Sequence, residues 1–396
     1  MKILITSLPD LKRIFVQRPH HLISYLSKNH DVTVECVRAW WLEEKRDNYF
    51  NAMINNIQFS YTTNMKIPAI GQELISFYGG STALSDSFLS KLDVHVSFNS
   101  LITGYARTKK MMTLNIPTIF DVCDDLVEWI NLSPQVPSVF KPAGRALASR
   151  LLGKMVEKSS RITYTSKSLF KTEWIEDVEK FTLVPNGVDT NMFKPVSNSG
   201  LRTELGIHEK DIVIGFVGAL QEWVNLEPIF IAMGEIAEEF DNFKILIVGS
   251  GHKLDENKKL THKYQCNGIT QFSGYVPYEL IPAYITCMDI CVLPFTKGMV
   301  SQGALPLKLL EYMSCGKPVV STPLSGVKEA VGNNVLYATT SEDYKQAILH
   351  LVSEPGLQKE MGQKGRQLVQ QNFDWDRVCK KFEQVLLEEV KQTNNN

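Results

Sequence analysis

The sequence predicts an α/β protein made of two doubly wound halves in series. Three observations carry that prediction. Apolar runs of strand length alternate with helix-length segments along most of the 396 residues. The alternation is interrupted by the turn-rich stretch VPNGVDTNMFKPVSNSG, beginning at Val184. Each side of that break is long enough to bury a core of its own.

In the first half KILITS (2–7) reads as a buried first strand, RPHHLISYLSKN (18–29) as a helix and DVTVECV (31–37) as a second strand. LDVHVSF (92–98), TIFDVCDD (118–125) and RITYTS (161–166) continue a parallel series, with a helix over 142–160. Residues 40–90 carry many aromatics and little periodicity, and are expected to be loops. Beyond the break DIVIGFVG (211–218), FKILIVGSG (243–251), GITQFSG (268–274), DICVLPF (289–295) and KPVVST (317–322) read as strands. Helices over 226–239, 277–286, 306–314, 325–331 and 342–353 separate them, and a last helix spans 374–392. The expected domains are 1–190 and 191–373, with 374–396 a helix returning to the first domain.

Composition is ordinary: 44% hydrophobic, 21% charged, net charge −1. Nothing in that balance points to nucleic acid. Residues 1–195 carry 23 Lys and Arg against 19 Asp and Glu, the remainder 19 against 24. A basic first half suits an anionic surface, although ordinary scatter explains it equally well. The seven cysteines form no CxxC pair and no His/Cys cluster at metal spacing, so free thiols, no metal and a reducing cytoplasm are expected. The chain opens directly on a strand-like run, which predicts no signal peptide, and no apolar stretch approaches the length of a bilayer span. Membrane contact would be peripheral, at the inner face and through the N-terminal domain. The basic helix GRALASRLLGKMVEKSSR (144–161) is one candidate surface, but covering the sheet with its leucines is the simpler use.

The richest segment is VSQGALPLKLLEYMSCGKPVVST (300–322). It reads as an anion-facing loop, a short helix with a buried face, a glycine stop and a buried strand. Lys308 stands three residues before the lone acid Glu311. A lysine suits phosphate and a carboxylate suits ribose hydroxyls, so the pair is expected to hold a sugar-phosphate between them. Ligands of open α/β sheets bind outside the carboxyl ends of strands, and four further segments occupy that position. Asn186 and Gly187 form a turn in VPNGVD. Gly218 and Ala219 close a strand before a helix, Gly249 does so in VGSG, and Tyr275 and Val276 follow another strand. Each of these, taken singly, is also an ordinary strand–helix turn.

Residues 300–322, together with 184–193, 213–223, 247–251 and 272–295, resemble the donor-nucleotide signature of family 4-type retaining glycosyltransferases. The resemblance extends over nearly the whole chain. It implies a GT-B type fold, two Rossmann-like domains facing across a cleft. The C-terminal domain would bind a UDP or GDP sugar through Asn186, Gly187, Gly218, Ala219, Gly249, Tyr275, Val276, Leu307, Lys308 and Glu311. No cofactor or metal is implied. The acceptor would be a glycan or a lipid-linked molecule, with cell-surface polysaccharide or glycolipid as product.

The sequence also departs from that family. Glu311 matches the second of two acids usually eight residues apart, while the first falls on Gly303. The usual Arg and Lys for the diphosphate fall on Ala219 and Val224. Lys308 is therefore expected to supply the missing positive charge. In TIFDVCDDL, Asp124 stands where a histidine is common, followed by Asp125. Both are candidates for contact with the donor sugar, for orienting the acceptor hydroxyl or for binding a divalent ion, and both also suit capping of the next helix. Arg18 and His20, at the start of the first helix, are acceptor-side candidates, although a histidine there is more often structural. Two rival readings remain at this level: a nucleotide-sugar 2-epimerase on the same fold, and a non-catalytic scaffold that has lost turnover.

Overall fold

The computed structural model describes residues 1–42, 48–63, 65–79, 84–132, 136–170, 177, 179–196, 199–296 and 302–395. The chain forms two compact units, Met1–Pro185 with Asp376–Asn396, and Asn186–Trp375.

The first unit is built on seven parallel strands: β1 (Lys2–Ser7), β2 (Asp31–Cys36), β3 (Gln58–Tyr61), β4 (Val94–Phe98), β5 (Thr118–Val122), β6 (Arg161–Tyr164) and β7 (Phe181–Leu183). Their order is β3-β2-β1-β4-β5-β6-β7, with the reversal between β1 and β4. VHVSF and TIFDV are buried at every position, as central parallel strands covered on both faces must be. Polar residues inside this layer are paired. His95 lies within hydrogen-bond reach of Thr6 (3.0 Å) and Thr118 (3.2 Å), and burial pushes its imidazole down to about 3, so it is neutral. Arg107 donates twice to Glu35, at 3.0 and 2.6 Å, joining the helix Ile102–Thr113 to β2.

The helix Trp375–Asn395 adds its amphipathic face to this unit. Phe382 and Leu386 are buried, Arg161 donates to Glu389 (2.7 Å), and His30 pairs with Glu383 (2.7 Å).

The second unit holds six parallel strands: β8 (Ile212–Val217), β9 (Phe243–Val248), β10 (Thr270–Gly274), β11 (Ile290–Leu293), β12 (Val319–Ser321) and β13 (Leu336–Tyr337). The order is β10-β9-β8-β11-β12-β13, so the reversal falls between β8 and β11. Apolar clusters pack on both faces of this sheet, one around Leu309 and Tyr312, the other around Phe230 and Ile348.

Several elements depart from the sequence expectation. The region expected to be loops contains β3 and the helices Asn48–Ile54 and Ala69–Gly79. The helices Leu254–Lys263 and Pro355–Asn372 were not expected, since one is almost wholly polar and the other is punctuated by glycine. Gly362 is there for contact: a Cβ at that position would sit 2.1 Å from the Gly316 carbonyl. Among the described residues no helix is long and apolar enough to cross a membrane.

Candidate functional site

In the second unit the loops after β8, β9 and β10 are stitched into one surface. The Gly218 amide donates to Val248 O (2.9 Å), Gly249 to Gly274 O (2.9 Å), and Leu220 to Ser250 O (3.0 Å). Gly249 has φ +134, and a Cβ there would lie 2.0 Å from Gly218 O. No side chain is tolerated at that crossing, which leaves backbone accessible where the strands end. Ala219 is partly exposed, Val276 is buried and Tyr275 is exposed.

The helix Leu307–Ser314 is anchored to the end of β8. Tyr312, fully buried, accepts from the Val217 amide (2.7 Å) and donates to the Val217 carbonyl (3.2 Å). That pin sets the rotation of the helix and places Glu311 and Lys308 one turn apart on it. Lys308 Nζ lies 2.9 Å from Glu311 Oε2, and Tyr278 donates to Glu311 Oε1 (3.2 Å). The Lys308 ammonium also sits 5.5 Å from the Tyr278 ring centroid. Glu311 is almost wholly buried, while about a quarter of the Lys308 side chain is exposed (26%). The sequence reading had a ligand held between Lys308 and Glu311; the structure has them paired directly. A ligand using both must share or open that pair. Leu307 is partly exposed beside them.

Asn186 lies against this loop, donating to Leu305 O (2.8 Å), while its buried Oδ1 has no hydrogen-bond partner among the described residues. Gly187 packs on Trp375, to which a Cβ would approach within 2.8 Å. Val300 lies in the short stretch outside the described residues; Gly303, where the first family acid would fall, is buried.

In the first unit the two adjacent aspartates have different roles. Asp124 follows β5 and accepts from Asn99 Nδ2 (2.7 Å) and the Cys123 thiol (3.3 Å). Burial raises its carboxyl above the ordinary range, and those hydrogen bonds offset part of the rise. Asn99 reaches across from the end of β4 in a left-handed conformation, φ 44, and its Oδ1 accepts the Cys123 amide (3.0 Å). Asp125 accepts the amides of Val127 (3.1 Å) and Glu128 (3.0 Å), the capping use that its sequence position equally allowed.

Arg18 and His20 are both buried and engaged within the unit. Arg18 donates to both oxygens of Asp121 (2.9 Å each) and to Pro185 O (2.6 Å). His20 has one ring nitrogen on Leu11 O (2.9 Å) and the other accepting the Gln17 amide (3.1 Å), closing the helix start. Neither presents its polar atoms to solvent.

Sequence reasoning missed Tyr278, Tyr312 and Asn99, whose partners lie 33, 95 and 25 residues away. It also missed Asp10 after β1, which accepts from Arg13 (2.7 Å) and the Ala39 amide (2.9 Å). Among the described residues, no group of three His, Cys, Asp or Glu side chains is placed to hold a metal ion.

Residues 199–368 match the family model described as glycosyl transferases group 1. The matched stretch lies within the second unit. The chain is 26% identical over 259 residues to an uncharacterized glycosyltransferase of Methanocaldococcus jannaschii, an alignment covering 63% of this chain and 64% of that one. A GDP-mannose-dependent phosphatidylinositol monomannoside mannosyltransferase of Mycobacterium tuberculosis is 26% identical over 212 residues, covering 51% and 54%. The chain thus spans less than two thirds of these curated relatives. Among solved structures, Anabaena HepE in complex with UDP superposes with a TM-score of 0.73 at 17% identity, covering 98% of this chain and all of that one. The two parallel-sheet units therefore share the fold of GT-B glycosyltransferases.

Proposed function

We propose that the chain is a retaining glycosyltransferase that moves a sugar from UDP or GDP to a glycan or lipid-linked acceptor. The observation that carries this reading is Glu311, a buried carboxylate held by Lys308 and Tyr278 at the strand ends where the sheet order of the second unit reverses. The relatives' names support the donor class, one using GDP-mannose and one holding UDP. They leave the base open.

Transfer breaks the bond between the anomeric carbon and the distal phosphate oxygen, and the electron pair leaves with the nucleoside diphosphate. The acceptor oxygen forms the new bond and gives up its proton. Retention places that bond on the face the diphosphate vacates. Charge develops on the leaving phosphate, so stabilising groups belong there. In this reading Glu311 accepts the ribose hydroxyls, and Lys308 turns toward the diphosphate together with amides at Gly218, Ala219 and Gly249. Asn186 and Val276 line the donor side, and Tyr275 flanks the base. Asp124, with its raised carboxyl, is suited to proton transfer or to the donor sugar, whereas Asp125 shapes the turn that presents it. The reading assigns no metal and no cofactor, and places synthesis of surface polysaccharide or glycolipid in the cytoplasm.

Thermal-shift titration with UDP, GDP and their sugars tests it first: one base series should raise the melting temperature. Stabilisation by none would overturn the reading and favour a non-catalytic scaffold. A labelled donor then separates transfer from 2-epimerisation, since the epimerase returns an isomerised sugar and no glycoside. Asp124→Asn should lower turnover about a hundredfold or more if the carboxyl moves a proton.

A further inference from the structure

We propose that Asn99 is a positioning residue for the Asp124 carboxyl, fixing its orientation and leaving Oδ1 as the oxygen that gains and loses a proton. The inference deepens the role given to Asp124 in the proposed function and rests on that reading for its purpose.

The direction of each hydrogen bond leads to this assignment. Asn99 follows β4, and its backbone amide donates to Asp121 O on β5 (3.0 Å). Its side-chain Oδ1 accepts the Cys123 amide (3.0 Å). A backbone N–H can only donate, so this bond decides which end of the asparagine amide is oxygen. Nδ2 must then face Asp124, where it donates to Oδ2 at 2.7 Å. The same NH2 group lies 2.9 Å from Cys123 Sγ, and the thiol in turn donates to Asp124 Oδ2 (3.3 Å). Two donors thus occupy both acceptor positions of Oδ2. A proton on that oxygen would meet another hydrogen, so exchange falls to Oδ1.

The backbone narrows the residue types that can do this. Asn99 has φ 44, where glycine, asparagine and aspartate are the short residues best tolerated. Glycine offers no side chain. Aspartate would keep the acceptor for Cys123 but set a second carboxylate against Asp124. Of the three, asparagine alone joins an acceptor and a donor on one short stem. Asn99 is buried, whereas Asp124 is partly exposed, so the carboxyl is gripped from the protein side and stays open on another. The nearby cations are committed elsewhere, Arg18 to Asp121 and Arg145 to Glu128, and Asp125 adds a like charge. Burial raises Asp124, and side-chain hydrogen bonds from Cys123, Asn99 and Trp129 oppose the rise. A carboxylate held by neutral donors rather than by a cation keeps its charge and its affinity for a proton.

The full chain, labelled with carbon-13 at the aspartate carboxyls, is titrated by NMR without substrate; the Asp124 signal is the one that Asp124→Asn removes. Asn99→Gly keeps the backbone angle at no steric cost and removes the side-chain hydrogen bonds. The Asp124 midpoint should then rise by about one pH unit. In Asn99→Asp the two carboxyls should titrate as a pair, with one midpoint well above that of wild type. Lowered melting temperatures with an unmoved Asp124 midpoint would mean that Asn99 only supports the fold, and would overturn the proposal. Release of UDP from UDP-glucose, or of GDP from GDP-mannose, supplies the functional readout. Where Asp124→Asn lowers that turnover, Asn99→Gly should lose roughly tenfold at a pH that ionises Asp124 in both proteins; an unchanged rate there overturns the positioning role. If Asp124→Asn releases nucleotide normally while the midpoints move as expected, the proton-transfer reading of Asp124 falls and its hold by Asn99 stands.

Discussion

Exchanging Glu311 for glutamine, and separately Lys308 for methionine, should give opposite results for stability and binding. The reason lies in unequal burial: the Glu311 side chain is 2% exposed and Lys308 26%. Glu311→Gln removes a buried charge together with its partner contact. Desolvation and attraction then cancel to within about 1 kcal/mol, so folding stability barely moves. Lys308→Met leaves the carboxylate buried with Tyr278 as its remaining hydrogen-bond donor, which costs roughly 2–4 kcal/mol after allowing for the solvent that reaches Lys308. For the nucleoside part of the ligand, which Lys308 does not contact in this reading, the ranking reverses. Two charge-assisted hydrogen bonds to ribose become weaker ones to a neutral amide, a loss of about 2–3 kcal/mol or roughly 30–150-fold in Kd. Urea unfolding measures the first quantity and calorimetric titration with UDP or GDP the second. The reasoning fails if Glu311→Gln binds within twofold of wild type, or if both variants lose equal stability.

Lys308→Ala should weaken UDP or GDP far more than uridine or guanosine; equal losses in a competition assay would refute its phosphate role. Burial pushes Glu73 up to about 7 from an ordinary 4.5, so the native state holds its proton longer than the unfolded chain. Stability should therefore fall as pH rises from about 4.5 to 7 and then level off, and Glu73→Gln should abolish that slope and gain about 1–3 kcal/mol at pH 8. Melting curves of both proteins from pH 5 to 8 check it; parallel curves would show that Glu73 is solvated. Arg18→Met leaves the buried Asp121 charge without its cation, with Thr163 still donating to it, and should destabilise the first unit by roughly 3–5 kcal/mol. A normal melting temperature with a raised KM for acceptor would return Arg18 to the acceptor side.

The sequence was most readable where a segment's local pattern and its final environment agree. TIFDV and VVS are apolar runs that end in buried parallel strands, and LKLLEYMS buries the side its spacing marks. β3 escaped notice because QFSY is short and only partly buried, without the apolar run of a central strand. LDENKKLTHK drew no helix assignment, since its helix buries only Asn257 and Thr261 and so shows almost no apolar periodicity. At the site, Lys308 was visible at one helical turn from Glu311, whereas Tyr278 reaches the same carboxylate from a different strand's loop. No local rule links them. The buried Arg18–Asp121 pair shows the same limit: 103 residues apart, each looks like a surface charge until the sheet brings them together.

The order in which the chain builds its two units has a practical outcome. Val188 and Asp374 form a short bridge, with the Val188 amide donating to Phe373 O (2.8 Å) and the Trp375 amide to Val188 O (3.1 Å). Entry to the second unit and exit from it thus run side by side, and the last 21-residue helix returns to the first. A nonsense mutation just past Trp375 would spare every residue of the matched stretch 199–368, yet strip the helix that Arg161 and His30 grip. That helix leaves the ribosome after the whole second unit, so the first unit cannot finish folding until the second has been synthesised.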